Sequence, residues 1–251
     1  VILVEQSVNV ALSVAERAYF MERGTIRFSG PTADLLGRKD LLRSVFLSGA
    51  AEPDGTATAV RRDSATDENV APLLRVNEIA VAFGGNRAVN GATFDVRSHE
   101  IVGMIGPNGA GKTTIFDLVS GFVAVDSGRI ELQGRDITNL GASERAAGLG
   151  RSFQDARLFP DMTVSETLAV SLERWVNSRS ALAAALRLPA VFDDEERTRL
   201  RVHELIELMN LGDYRNSFVR ELSTGTRRVV DLACIAAHRP VMVLLDEPSS
   251  G

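Results

Sequence analysis

Short apolar runs alternate with stretches of helical spacing along most of the chain. Residues 1–5 form an apolar run closed by Glu5, the pattern of a strand covered on both faces, and residues 8–18 then carry helical spacing. Residues 18–20 and 25–28 flank Glu22-Arg23-Gly24, a hairpin signal, and Gly30-Pro31-Thr32 opens a helix with proline near its first turn. Residues 40–47 read as a closing helix. The pattern then breaks: residues 49–72 hold Pro53, Gly55, Pro72 and charged runs, so ordering them would bury little apolar surface, and they are expected to be a linker. From Leu73 strands resume at residues 74–81 and, after a Gly84-Gly85 turn, at 91–96; residues 101–105 run into a glycine-rich loop and a helix. Residues 129–132 and 136–140 predict a short strand and a turn, 165–175 a helix, 193–209 a long amphipathic helix with paired charges, and 241–245 a fully apolar strand. Strands separated by helices predict an α/β layer architecture with a parallel central sheet, and residues 155–222 an inserted helical subdomain.

Composition narrows the function classes. The chain has 251 residues, 45% hydrophobic and 24% charged, which suits one or two folded domains. A formal net charge of −5 leaves no basic excess to neutralise phosphates along a nucleic acid, and no nucleic-acid partner is expected. The single cysteine, Cys234, rules out an internal disulfide framework, and His99, His203 and His238 lack metal-ligand spacing. No apolar stretch reaches the roughly 18–20 residues that cross a bilayer; the longest candidate, residues 181–192, is broken by Arg187 and Pro189. That stretch fits either packing in the helical subdomain or a patch near a membrane partner. Only Lys39 and Lys112 are lysine, so arginine is the default cation and Lys112 calls for a local explanation.

The explanation is chemical. Gly106-Pro107-Asn108-Gly109-Ala110-Gly111-Lys112-Thr113 fits G-x-x-x-x-G-K-[ST] directly after a strand and before a helix, the context this phosphate-binding loop requires. Its glycines let backbone fold around polyphosphate, successive N–H groups form an anion nest at the positive helix end, Lys112 reaches the β- and γ-phosphates, and Thr113 can hold Mg²⁺. A compact ammonium fits between phosphate oxygens where a planar guanidinium is too wide. Residues 241–245 then place Asp246 and Glu247 at the carboxyl end of a buried strand, where open α/β sheets bind ligands. Two adjacent acids divide two jobs: Asp246 binds magnesium, and Glu247 faces the γ-phosphate and polarises the attacking water.

The loop Gly106 to Thr114, Gln154 within Gly150-Arg151-Ser152-Phe153-Gln154, the segment Leu222-Ser223-Thr224-Gly225-Thr226 and the strand end Asp246-Glu247-Pro248 follow the order of an ATP-binding cassette. Over residues 73–251 the chain resembles the ATP-binding cassette (ABC) domain, a P-loop NTPase with an antiparallel β-subdomain and a helical insertion. It is most similar to the ATP-binding subunits of branched-chain amino acid uptake transporters. The resemblance implies that Phe83 stacks on adenine, although Phe83 also fits a strand-end core residue. It implies that Thr114 joins the loop in binding the nucleotide, and that Gln154 senses magnesium and links to the membrane subunit. Ser223 and Gly225 match residues that contact the γ-phosphate bound by an opposing cassette in a head-to-tail pair. Thr224 and Thr226 depart from that pattern, where a glycine and a glutamine are more usual.

Residues 1–30 resemble a later part of the same domain, the strand with the switch residue and the hairpin after it, with Gln6 at the switch position, where a glutamine cannot titrate near neutral pH. The expected organisation is therefore residues 1–48 as the closing portion of a preceding cassette, 49–72 as linker, and 73–251 as a cassette truncated after its acidic strand end. Residues 1–48 are expected to dock beside the strand 241–245. The implied function is an ATPase, with ATP and Mg²⁺, driving an importer of branched-chain or other amino acids from the cytoplasmic face of the membrane. Its implied partners are permease subunits or a fused permease domain, a second cassette and, indirectly, an external solute-binding protein. A soluble ABC ATPase outside transport, and a nucleotide-binding module without turnover, are the alternatives.

Overall fold

The computed structural model describes residues 1–5, 11, 13–36, 71–153, 158–175 and 189–248. The helix expected over 40–47, the linker up to residue 70, most of the apolar stretch 181–192, and Gln6 and Gln154 lie outside them. The described chain forms two compact units, one of residues 1–151 with the segment from Met242 onward, the other Ser152–Val241.

The first unit is built on two sheets. β1 (Ile2–Glu5), the hairpin strands β2 (Arg17–Glu22) and β3 (Thr25–Pro31), and the short helix α1 (Thr32–Leu36) come from the N-terminal segment. After residue 71 come β4 (Leu74–Phe83), β5 (Asn86–Val96), β6 (Val102–Ile105), α2 (Lys112–Ser120), β7 (Ser127–Leu132), β8 (Arg135–Asp136), α3 (Ala142–Arg145) and β9 (Leu149–Arg151). The second unit holds α4 (Val164–Leu172), α5 (Pro189–Leu208) and α6 (Thr224–Ala237), and β10 (Met242–Asp246) returns to the first.

The six-stranded sheet has the order β3-β2-β6-β1-β10-β9, and every pairing except the β2–β3 hairpin is parallel. β4, β5, β7 and β8 form a separate antiparallel sheet. β1 lies between the strand that enters the glycine loop and the strand that ends in the acidic pair. Ile2 stands opposite Val102 on one side and Leu244 on the other, and Val4 opposite Met104 and Asp246. All four β1 residues are buried, as the uninterrupted apolar run requires of a strand covered on both faces. Ile2, Val4, Tyr19 and Met21 share one hydrophobic core with Phe116 of α2 and Leu244 of β10.

The N-terminal segment is also held by charge. The Arg17 guanidinium donates through Nε to Glu100 Oε1 at 2.7 Å and through Nη2 to Asp95 Oδ2 at 3.0 Å, and the Tyr19 hydroxyl donates to the Asp95 backbone carbonyl at 3.1 Å. Burial pushes the Asp95 carboxyl upward, but the hydrogen bonds and charge of Arg17 and the hydroxyl of Tyr19 outweigh it and leave the group below its ordinary value. The helical spacing read over residues 8–18 overshoots. Ala11, Ser13 and Val14 are helical, but Arg17 and Ala18 already belong to β2. Arg17 sits in a strand because its partners, some 80 residues away, satisfy it there.

The helical unit has its own core, in which Val164 and Leu168 of α4, Leu205 of α5 and Val230 and Ala233 of α6 are fully buried. Thr163 caps α4, its Oγ1 accepting from the Glu166 amide while Glu166 reaches back to the Thr163 amide.

Candidate functional site

The glycine loop joins β6 to α2, as its spacing requires. Gly111 caps the helix with φ +101°, and a Cβ there would lie 2.4 Å from the Ala88 carbonyl oxygen, so neither the conformation nor the space admits a side chain. Lys112, the first helical residue, is 6% exposed, and its ammonium donates to the carbonyls of Gly106 at 2.7 Å and Pro107 at 3.0 Å. Burial lowers the Lys112 pKa, while Glu247 and then Asp246 raise it in opposition, so this cation and the two acids form one electrostatic group. Thr113 is exposed and Thr114 half-buried on the first turn of the helix; Asn108 and Gly109 are exposed, Pro107 is half-buried, and Gly106 and Ala110 are buried.

The two acids stand where β10 ends. Asp246 is 2% exposed, and burial raises its pKa; Arg151 and Lys112 lower it, Glu247 and Asp117 add to the rise. Glu247 leaves the strand in the left-handed region at φ +46°, a conformation costly for a residue with a side chain, and its amide donates to the Val4 carbonyl of β1 at 2.9 Å. The carbonyl of β1 thus holds the backbone of Glu247 in its turn out of the sheet. Strained backbone held by the surrounding structure is a recurring property of reactive sites.

Phe83 ends β4 beside the Gly84-Gly85 turn and is 51% exposed, so it is not a core residue. The loop, Lys112, Asp246, Glu247 and Phe83 therefore all fall in the first unit. Ser223 and Gly225 belong to the second. Ser223 is exposed and caps α6, accepting from the Thr226 amide at 3.2 Å; its hydroxyl and that of Thr226 lie 2.9 Å apart. Thr226 thus engages the cap where the family pattern has a glutamine. Thr224 sits in the first turn of α6, and apart from its chain neighbours and the helix's own backbone no atom of the described residues lies within 4 Å of a Cβ placed on Gly225.

Sequence reading missed two contributors. Arg151, 7% exposed at its side chain, pairs with Asp117 at 2.7 Å, donates to Ser120 Oγ at 2.8 Å and lies over the Phe122 ring, placing a buried cation that acts on Asp246. The turn at Arg23-Gly24 contacts the glycine loop itself, with the Gly24 amide donating to the Ala110 carbonyl at 2.8 Å. The hairpin signal was visible, but nothing local in it points to residues some 80 positions away.

The donor set suits a hard cation. Thr113 offers a hydroxyl and Asp246 a carboxylate, few protein oxygens of the kind Mg²⁺ takes alongside waters and phosphate oxygens. No group of three or more His, Cys, Asp or Glu that could hold a metal occurs among the described residues.

In the helical unit Asp231 of α6 carries a different signal. Burial raises its carboxyl to about 6, with the Arg228 charge opposing. A raised folded-state value means that the folded chain binds this proton more tightly than the unfolded chain, so stability falls as pH rises from about 4 through 6. Asp231→Asn is expected to stabilise the chain by about 1 kcal/mol at pH 7–8, discounted for partial solvent screening, with the gain vanishing below about pH 4. Thermal unfolding of both proteins across that range checks it.

Residues 89–250 match the family described as ABC transporter. The chain is 37% identical over 181 residues to the high-affinity branched-chain amino acid transport ATP-binding protein BraF of Pseudomonas aeruginosa, covering 72% of this chain and 71% of that protein. It is also 37% identical over 180 residues to the lipopolysaccharide export system ATP-binding protein LptB of Haemophilus influenzae, covering 71% of this chain and 68% of that one. Among solved structures it is similar to an ATP-binding cassette of an ABC transporter in its ADP conformation, with TM-score 0.59 and 28% identity over 72% of this chain and 71% of the other.

Proposed function

Because the chain belongs to the ABC transporter family and is an ATPase domain of it, we propose that it hydrolyses ATP to drive the uptake of branched-chain or other amino acids through a membrane permease. One observation carries the chemistry: a glycine loop with Lys112 and a strand end with Asp246 and Glu247 stand at adjoining places in one sheet, joined by β1. In this reading the amides of residues 106–114 and the Lys112 ammonium hold the β- and γ-phosphates, and Phe83 stacks on the adenine. Thr113 and Asp246, with Gln154, would hold Mg²⁺, which supplies charge neutralisation at the phosphates. Glu247 orients a water and takes its proton as the water attacks the γ-phosphorus, ADP leaving with the bridging oxygen. Gln6 hydrogen-bonds phosphate without titrating. Ser223 and Gly225 serve the nucleotide of a second cassette.

No helix among the described residues is long and apolar enough to cross a membrane. The proposed place of work is the cytoplasmic face of the cell membrane, with a solute-binding protein delivering cargo from outside. In the same reading residues 1–48 act as the closing portion of a cassette and residues 73–251 as the opening portion, with 49–72 joining them. The support is the seat of β1 between β6 and β10.

The similarity to BraF favours import, whereas the similarity to LptB favours lipopolysaccharide export as a second reading. Disrupting the gene in its host separates them. Import predicts loss of most high-affinity uptake of labelled leucine, isoleucine or valine at low external concentration. Unchanged amino acid uptake together with a loss of surface lipopolysaccharide would overturn import in favour of export.

A further inference from the structure

We propose that Gly24, in the β2–β3 turn, is a positioning residue for the phosphate loop, fixing the direction of the Gly111 amide through the Ala110 carbonyl. The inference rests on the nucleotide reading of the loop and extends it to a segment that the sequence connects only to the hairpin.

The geometry is that of one peptide plane. All peptide bonds among the described residues are trans, and a trans peptide points its carbonyl and the next amide in opposite directions. The Gly24 amide donates to the Ala110 carbonyl at 2.8 Å, so the Gly111 amide is turned away from the hairpin and left for the phosphate side of the loop. Gly24 is itself fixed, since its carbonyl accepts from the Asn90 amide at 2.8 Å. Its φ of +77° and the Ala88 carbonyl oxygen, 2.8 Å from where a Cβ would lie, leave room for glycine alone. The same hairpin backs the loop elsewhere: the Met21 carbonyl oxygen lies 2.1 Å from the position a Cβ on Gly106 would take, and Met21 Cε lies 2.9 Å from that on Gly111. Met21 is fully buried. A phosphate-binding nest works through the fixed direction of its amides, so freeing this plane weakens phosphate binding without touching a ligand group.

The test needs a control for ordinary glycine strain, and Gly134 supplies it. Its φ is +74°, it lies in the β7–β8 turn, and apart from its chain neighbours no atom of the described residues lies within 4 Å of its would-be Cβ. Calorimetry with Mg-ATP and with inorganic tripolyphosphate is expected to show Gly24→Ala binding both at least about tenfold more weakly than the unsubstituted chain, while Gly134→Ala stays within about twofold. Equal affinities for the two variants, each corrected for its folded fraction, would overturn the inference. Should Gly24→Ala fail to fold, hydrogen exchange on the unsubstituted chain decides. Protection of the Gly24 amide is expected to rise on adding Mg-ADP; unchanged protection while the loop amides become protected overturns it. An unsubstituted, folded chain that binds neither Mg-ATP nor tripolyphosphate overturns the nucleotide reading itself and this inference with it, an outcome distinct from a failure of Gly24 alone.

Discussion

Removing residues 1–36 is expected to abolish cooperative folding of the first unit. β1 is an interior strand, and its loss would leave the facing backbone groups of β6 and β10 without ladder partners while opening a slot between them. Burying Ile2, Leu3 and Val4 stabilises the unit by about 2 kcal/mol each, roughly 6 kcal/mol together, which rivals the whole stability of a typical domain. The Arg17 pairs with Asp95 and Glu100 would vanish too. Val4→Asp puts a charge at a fully buried position of the same strand and is expected to act alike, costing more than about 4 kcal/mol. Denaturant unfolding followed by far-ultraviolet circular dichroism checks both. A shortened chain that unfolds in one sharp transition at an unchanged midpoint would show that the β1 slot is dispensable.

Much of this architecture was legible because buried parallel strands write themselves as uninterrupted apolar runs. Residues 1–5, 101–105 and 241–245 were all found that way, and all three lie side by side in the sheet. Their order was not legible. Nothing in the pattern of residues 1–5 says that they pair with Val102 and Leu244; the resemblance of the segment to a later part of a cassette implies only that it docks beside the strand 241–245. Polar residues inside strands were harder to see, as Arg17 shows, since the partners that make its position tolerable are distant in sequence. The long helix begins at Pro189, before the first of its paired charges, because proline at the start of a helix gives up an amide that would be unsatisfied anyway. At the site, motif spacing marks the glycine loop as a candidate, and the carboxyl end of an apolar strand marks the acidic pair. Neither signal could give the left-handed turn at Glu247, the buried cation Arg151 or the amide of Gly24, which depend on backbone direction and on tertiary contact.

The second large effect concerns chemistry and not folding. Glu247→Gln keeps the size and hydrogen-bonding reach of the side chain but removes the carboxylate proposed to take the water's proton. Phosphate release from Mg-ATP is expected to fall by about 10² to 10⁴, the usual worth of a positioned general base. Affinity should hold within a few-fold, because the loop amides and Lys112, the proposed grip on the phosphates, are left in place by the substitution. The backbone of Glu247 is bonded through its amide to Val4, so the left-handed turn survives the change. A matching fall in affinity would mean that Glu247 supports binding and not turnover.

Calorimetric titration of the folded chain with ATP, with and without Mg²⁺, bears most directly on the assignment of the loop at residues 106–114 and the acids at 246 and 247. Saturable binding that tightens with Mg²⁺ and is lost in Lys112→Ala is the expected result. Heat that is the same with and without Mg²⁺, or binding that survives the loss of the Lys112 ammonium, would contradict it.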